Sequence, residues 1–306
     1  MVGVNRHEFL DVASIALSAA YLRRPFFARS LESVPIGDAV AESRCEPFAF
    51  EDAGVREVTV ETPAGPLEAG YLAWRWLGDD RPTLIHHHGS GEDPFDFGRF
   101  GSNSFGRLFA TDDWTVPVNL IAIRAPFHGG STREYTHAAG DLESVVSMLA
   151  ASATLLEELR GRLVERGCPA VFSSGISLGG WVTTLHRAFY GGCDRYVPVF
   201  AGAAVGEVFT SSIYRKLVAE RARARPGTVR DALDFEAASR AVDADDCDPL
   251  LARYDRIVEL DRQRGGYAGL SLSILEKGHV TGALATDTLR AHVARSIRPA
   301  VRGVER

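Results

Sequence analysis

The stretch VFSSGISLGG (residues 171–180) decides how the rest of the chain is read. A short apolar run, Val171 and Phe172, leads into Gly175-Ile176-Ser177-Leu178-Gly179. WVTTLHRAFYGG (residues 181–192) follows with helical character and ends in glycine. Strand, Gly-x-Ser-x-Gly, helix is the pattern of a tight turn that lifts a serine hydroxyl above the end of a sheet. The flanking glycines fit because a Cβ beside the strained serine would collide with the adjoining strand or helix. Ser177 is therefore the candidate nucleophile.

An alcohol is a poor nucleophile at neutral pH and needs a base. An imidazole serves, provided a carboxylate fixes its tautomer. Both follow Ser177 in the order such a turn requires, acid and then histidine. His279, in EKGHV (residues 276–280), comes after the last expected strand and before the last expected helix. His186 and His292 fall inside helical stretches and His7 lies near the start. Asp255, in LARYDRIV (residues 251–258), stands where the penultimate strand should end. Of the nearby acids, Asp248 precedes Pro249 and suits a turn, Asp261 suits a helix start, and Asp246 stays a weaker rival. An oxyanion needs backbone N–H donors. Leu178, after the nucleophile, should give one; the HHHGSG loop (residues 86–91) should give the other, from Ser90 first and Gly91 second.

The same loop carries His86, His87 and His88. Strand alternation puts His86 and His88 on one face and His87 on the other. With His128 at the end of the next strand, a metal reading arises, but hydrogen bonding of the imidazoles to the loop backbone is the simpler expectation. His88 and His128 are candidates for the pocket wall, with Trp181, Phe95 and Phe209 for its apolar part. No metal and no cofactor is expected.

Outward from this centre the chain alternates strands and helices. Residues 56–62 and 67–77 form a hairpin around the Pro63-Ala64-Gly65-Pro66 turn. Residues 82–88, 119–127, 171–176, 194–203, 250–252 and 270–275 read as further strands. Residues 102–113, 141–167 and 281–297 read as helices; in the second of these Leu142, Val145, Val146, Leu149, Leu156 and Leu163 share one face. Such alternation implies a mainly parallel sheet with an antiparallel edge. Residues 1–50 are a helical lead-in, and residues 205–245 interrupt the strand rhythm as a cap. No repeat or second core is visible, so residues 1–306 should form a single domain.

The 306 residues carry a net charge of −6, which argues against nucleic acid or an anionic membrane as the main partner. Lys216 and Lys277 are the only lysines among many arginines, a compositional bias. Cys45, Cys168, Cys193 and Cys247 show no metal spacing and should be reduced thiols; a Cys168–Cys193 disulfide is the alternative, since both precede neighbouring strands. The apolar stretch 12–22 is too short to span a bilayer, so no membrane span is expected. Glu8 and Asp11 stand where a secretory signal would be cationic, and Arg23-Arg24 follow the stretch, so an amphipathic helix on a cytoplasmic protein is expected.

These residues together resemble the α/β-hydrolase superfamily, and within it the α/β-hydrolase domain-containing protein 18 group. HHHGSGED (86–93) is similar to that group's His-x-x-Gly-Thr-Gly-Asp loop, and Pro126-Phe127-His128-Gly129 to its Pro-Tyr-Tyr-Gly turn. GISLGG (175–180) with VPVFAGAAVGEVFT (197–210) resembles its elbow and next strand. DRIVELD (255–261) with GHVTGAL (278–284) resembles its acid and histidine loops. The resemblance implies an α/β-hydrolase fold: a mainly parallel sheet with an antiparallel N-terminal hairpin, helices on both faces and a small helical cap. It places Ser177, Asp255 and His279 at the triad positions. The departure at His87-His88, where the group tends to small or apolar residues, leaves pocket shape open. The expected activity is a serine hydrolase acting on a small-molecule ester, thioester or related acyl substrate. A catalytically idle fold used for binding, or an acyltransferase or peptidase on the same triad, stays open, as does the oligomeric state.

Overall fold

The computed structural model describes residues 5–21, 25–98, 101–129 and 132–304. Within them the apolar runs assemble into a sheet of nine strands: β1 (Arg44–Cys45), β2 (Gly54–Thr62), β3 (Gly65–Arg75), β4 (Thr83–His87), β5 (Asn119–Arg124), β6 (Val171–Ile176), β7 (Arg195–Val199), β8 (Leu250–Ala252) and β9 (Ser273–Leu275). Their spatial order is β1-β2-β3-β5-β4-β6-β7-β8-β9. The first three strands and β5 pair antiparallel; β5, β4, β6, β7, β8 and β9 run parallel. The hairpin closes over Pro63 and Ala64, with Thr62 opposite Gly65. This is the α/β-hydrolase fold, with the antiparallel strands at the N-terminal edge.

Every residue of β4 and β6 is buried, as strands covered on both faces must be. Leu84, Leu120, Phe172 and Val197 point to a core layer closed by the helices Ser104–Phe109 and Thr286–Val304. Ile85, Ile121, Val171 and Tyr196 point the other way, onto the long helix Leu142–Glu165. All six apolar residues expected on one face of that helix are buried. Each side chain buried this way contributes about 1.5–3 kcal/mol from removing apolar area from water. Among the described residues, no helix is long and apolar enough to cross a membrane.

Residues 205–245 fold as short helices, Val205–Thr210, Glu220–Arg223, Pro226–Leu233 and Glu236–Ala241, with a 3-10 turn at Ile213–Leu217. Their apolar residues join the core layer of the long helix and the helix Leu178–Phe189. The expected last helix is two, His279–Ala283 and Thr286–Val304. The N-terminal stretch forms the expected helix, Arg6–Tyr21, and its inward face carries polar as well as apolar residues. Its inward face holds His7, Asp11 and Ile15, while Phe9, Leu10 and Leu17 are exposed. Asp11 lies inward because its carboxylate accepts backbone N–H groups from Arg256, His279 and Val280. Leu22 and Arg23-Arg24 lie outside the described residues. Cys168 and Cys193 are not bonded to each other; all four cysteines are free thiols. Cys168 Sγ instead meets Thr83 Oγ1 at 3.3 Å.

Candidate active site

The turn after β6 is held between its two neighbours. Ser177 N–H donates to Val199 O at the end of β7 (2.8 Å), and Gly179 N–H donates to His88 O just beyond β4 (3.0 Å). Ser177 is thereby held at φ 54°, ψ −110°, a conformation that L residues rarely occupy. The closeness of strand and helix explains the glycines. A Cβ on Gly175 would stand 2.1 Å from Gly179 O, and one on Gly179 would stand 2.1 Å from His87 O. Both obstacles are backbone and cannot move aside. Gly175→Ala is expected to destabilise the protein by about 3 kcal/mol or more, read from urea unfolding midpoints. An unchanged midpoint would mean that the strand and helix can part at this turn.

From Ser177 a line of hydrogen bonds runs to the acid. Ser177 Oγ lies 3.2 Å from His279 Nε2, placed to donate, and His279 Nδ1–H donates to Asp255 Oδ2 at 2.7 Å. Asp255 sits in the loop after β8 and is almost wholly buried. Its Oδ1 accepts the Ile257 and Val258 N–H groups at 2.8 and 2.7 Å. Burial, helped by the nearby Asp11 carboxylate, raises the Asp255 carboxyl above its ordinary range; the imidazole and the Val258 amide oppose that. Burial pulls His279 down, but the Asp255 carboxylate at Nδ1 and the Asp11 carboxylate outweigh it, so its net direction is up. The rejected histidines have other partners: His186 meets Glu157 and Tyr196, and His292 meets Asp248 O. Asp246 pairs with Arg187, and Asp261 is exposed beside Arg264.

The serine and the imidazole open on a cavity of about 430 Å³. Trp181 and Phe209 line it, as expected, together with Ile176, Ile257 and Tyr214. Phe95 does not; its ring lies 4.8 Å below the Arg124 guanidinium. Ser90 is in the wall beside Gly89, whereas Gly91 and Leu178 are not. The Leu178 amide is the first of its helix and has no intrahelical acceptor. Glu92 and Arg107, 3.5 Å apart, give the cavity an ion pair.

His88 and His128 stand behind the wall rather than in it. The strand ends at His87, so the backbone has turned before His88, and the rings of His87 and His88 stack at 4.8 Å instead of pointing to opposite faces. His128 follows at 4.7 Å and Tyr135 at 4.5 Å, and Tyr135 Oη meets Ser90 Oγ at 2.8 Å. This column of rings backs the loop that carries Ser90. His88 Nδ1–H donates to Gly89 O (2.6 Å) while its Nε2 accepts the Ala125 N–H (3.0 Å), which requires a neutral ring. His86 alone turns to the other layer, bonding Ser174 Oγ at 2.8 Å and packing on Phe109. Among the described residues, no three His, Cys, Asp or Glu side chains are grouped to hold a metal ion.

Four residues that contribute were not picked out from the sequence. Asp11 accepts the N–H groups of Arg256, His279 and Val280. Tyr135 braces Ser90, and Ser14 and Ile15 of the N-terminal helix form part of the cavity wall. The available signal was the spacing of His7, Asp11 and Ile15, four residues apart, which puts a lone carboxylate in line with a core residue on one helical face.

No family model matches the sequence, and no curated protein matches it. The fold, by contrast, has many solved neighbours. Acetyl xylan esterase 1 from Thermoanaerobacterium sp. aligns with a TM-score of 0.54 over 87% of this chain and 96% of its own, at 13% identity. A hydrolase from Pseudomonas aeruginosa aligns with a TM-score of 0.51 over 79% and 98%, at 14% identity. The acylaminoacyl peptidase of Pyrococcus horikoshii aligns with a TM-score of 0.53 over 84% of this chain but only 42% of its own, at 14% identity. At these identities the likeness is one of fold: the neighbours are α/β-hydrolase superfamily members, and this chain shares their architecture.

Proposed function

We propose that the protein is a serine hydrolase that cleaves an ester, thioester or related acyl bond through an acyl-Ser177 intermediate. The observation that carries this is the unbroken line Ser177 Oγ, His279, Asp255, with the hydroxyl 3.2 Å from an imidazole that is itself 2.7 Å from a buried carboxylate. His279 Nε2 takes the hydroxyl proton as Oγ attacks the acyl carbon, and Asp255 holds Nδ1 protonated and supports the imidazolium. The amides of Leu178 and Ser90 receive the developing oxyanion, with Gly91 as the reserve for the second. His279 then protonates the leaving group, and a water activated by the same nitrogen releases the acid. Hydrolase and esterase neighbours support the reaction class, and the peptidase neighbour keeps amide cleavage or acyl transfer on the same triad as the second reading.

We read the chain as one domain with residues 1–50 leading in and 205–245 capping the cavity, which Phe209 and Tyr214 help to line. The finer affiliation, to the α/β-hydrolase domain-containing protein 18 group, rests on the four motif stretches alone, and a cytoplasmic location on the sequence around residues 8–24. The substrate is a small acyl compound, and the apolar walls favour an uncharged acyl chain. A fluorophosphonate probe tests the reading: wild type labels and Ser177→Ala does not. Equal labelling of both would end it. The pH profile tests the base. Neutral His279 is the active form and its pKa is raised from 6.5, so kcat/KM should fall on the acid side with a midpoint above 6.5. A midpoint below 6 would remove His279 as the base.

A further inference from the structure

Asp11 belongs to the helix Arg6–Tyr21, outside the sheet and its crossovers, and it is wholly buried. Its Oδ2 accepts Arg256 N–H at 3.1 Å and His279 N–H at 2.9 Å, and its Oδ1 accepts Val280 N–H at 2.9 Å. Arg256 follows Asp255 directly, so one carboxylate ties the acid loop to the histidine loop. A Cβ on Gly278 would stand 2.8 Å from Asp11 Oδ2, so the loop has closed onto the carboxylate. The helix has a second hold one turn away, where His7 Nδ1 bonds Thr281 Oγ1 at 2.8 Å and the His7 ring stacks on Tyr254. Thr281 Oγ1 in turn accepts Gly278 N–H at 3.0 Å.

We infer that Asp11 is a positioning residue for the triad, a second carboxylate that sets the distance between the His279 and Asp255 loops. The inference rests on the hydrolase reading above. The two loops are also joined by Tyr254 N–H, which donates to Lys277 O at 2.9 Å, but the amides of Arg256, His279 and Val280 are met by Asp11. Asp255 fixes the ring of His279 through Nδ1, but the backbone that carries the ring is held by Asp11. Three N–H donors call for a group that only accepts, and a carboxylate is the side chain with two such atoms. An asparagine would turn an N–H₂ toward one of the three donors. The same helix places Ser14 and Ile15 in the cavity wall, so the acyl site and the triad share one support.

The charge has a second consequence. The charged and titratable groups around the imidazole are Asp255, Asp11, the neighbouring Lys277 and, across the cavity, Arg107 paired with Glu92; Arg256 and Glu8 pair with each other at 4.0 Å, and His7 is bound to Thr281. Asp11 adds to the pull of Asp255 on the imidazolium. Removing its charge should lower the pKa of His279 and move the acid limb of the rate profile to lower pH, which a loss of packing alone would not do.

The experiment compares wild type, Asp11→Asn, Asp11→Ser, Ser177→Ala and, as a control on the outer face of the same helix, Leu17→Gln, using a nitrophenyl ester and a fluorophosphonate probe. Expected for both Asp11 variants is a kcat lower by roughly 10- to 100-fold, the loss that about 1 Å of misplacement brings. KM should stay within about threefold, probe labelling of Ser177 should slow in parallel, and the acid limb should shift downward. Asp11→Ser keeps an acceptor for one donor and decides the matter if the asparagine variant does not fold. Variants that label and turn over like wild type, with an unmoved acid limb, overturn the role of Asp11 and leave the triad standing. A folded wild type that fails to label at Ser177 removes the triad reading and this inference with it.

Discussion

Ser177→Ala is expected to lower kcat by roughly a million-fold, to the residue of rate that oxyanion contacts and binding supply by themselves. Alanine removes the attacking oxygen and nothing else, since the side chain has one hydrogen-bond partner, His279 Nε2. It also keeps the Cβ, so the backbone at φ 54°, ψ −110° stays as strained as before. Ser177→Gly relieves that strain and should be equally inactive. Strain of this type costs about 1–3 kcal/mol, and glycine gives back up to about 1 kcal/mol through the entropy of the unfolded chain. Ser177→Gly should therefore be more stable than Ser177→Ala by about 1 kcal/mol, measured by urea unfolding. Ester turnover by Ser177→Ala above about one per cent of wild type would exclude a serine nucleophile here. Equal stability of the two variants would limit the strain to about the 1 kcal/mol that glycine gives back.

The parts of the fold that could be read in advance are those whose side chains obey a local period. β4, β5 and β6 are buried on both faces, so their apolar runs are continuous and their ends are marked by glycine or histidine loops. The long helix announces itself through a single apolar face. β1, by contrast, has two residues and no pattern, and it exists only because Arg44 and Cys45 lie beside β2. The site divides in the same way. Ser177, Asp255 and His279 follow a chain order that the strand-end geometry imposes. Asp11 bonds to backbone 245 to 269 residues further on; the spacing of His7, Asp11 and Ile15 marks an inward carboxylate but not the backbone it meets. The column of His87, His88, His128 and Tyr135 was hidden for another reason. Alternation holds only while the strand lasts, and β4 stops one residue before His88.

The three histidines of that column, together with His86 on the other face of β4, should make the protein sensitive to mild acid. Burial drives His86 and His87 down to about 3 and His128 to about 4, and it takes His88 well below its ordinary 6.5. The folded protein therefore keeps these four rings neutral where the unfolded chain protonates them. For a base depressed by folding, stability is intact above the unfolded pKa, near 6.5, and is lost as pH falls from there toward the folded pKa. At pH 5 each ring costs about 2 kcal/mol by this linkage, so four approach the whole stability of an ordinary domain. His279 acts in the opposite sense, because its folded pKa is raised; what it contributes is present below 6.5 and is lost as pH rises through its folded pKa. Asp234, raised to about 7 by burial, and the raised Asp255 and Glu259 carboxyls act in the same sense as His279, while His186 and His292, lowered by burial, add to the four rings. The midpoint of thermal unfolding should fall by about 15 °C between pH 7.5 and pH 5. His86→Leu removes one titrating ring from a pocket already lined by Phe105 and Phe109, and should recover about a quarter of that fall. It leaves Ser174 Oγ without its imidazole partner, so its midpoint at pH 7.5 should be lower than that of wild type. A flat melting midpoint over this range would mean that the rings meet water or a proton acceptor in solution. The loop behind Ser90 would then be less rigidly backed than an oxyanion donor requires.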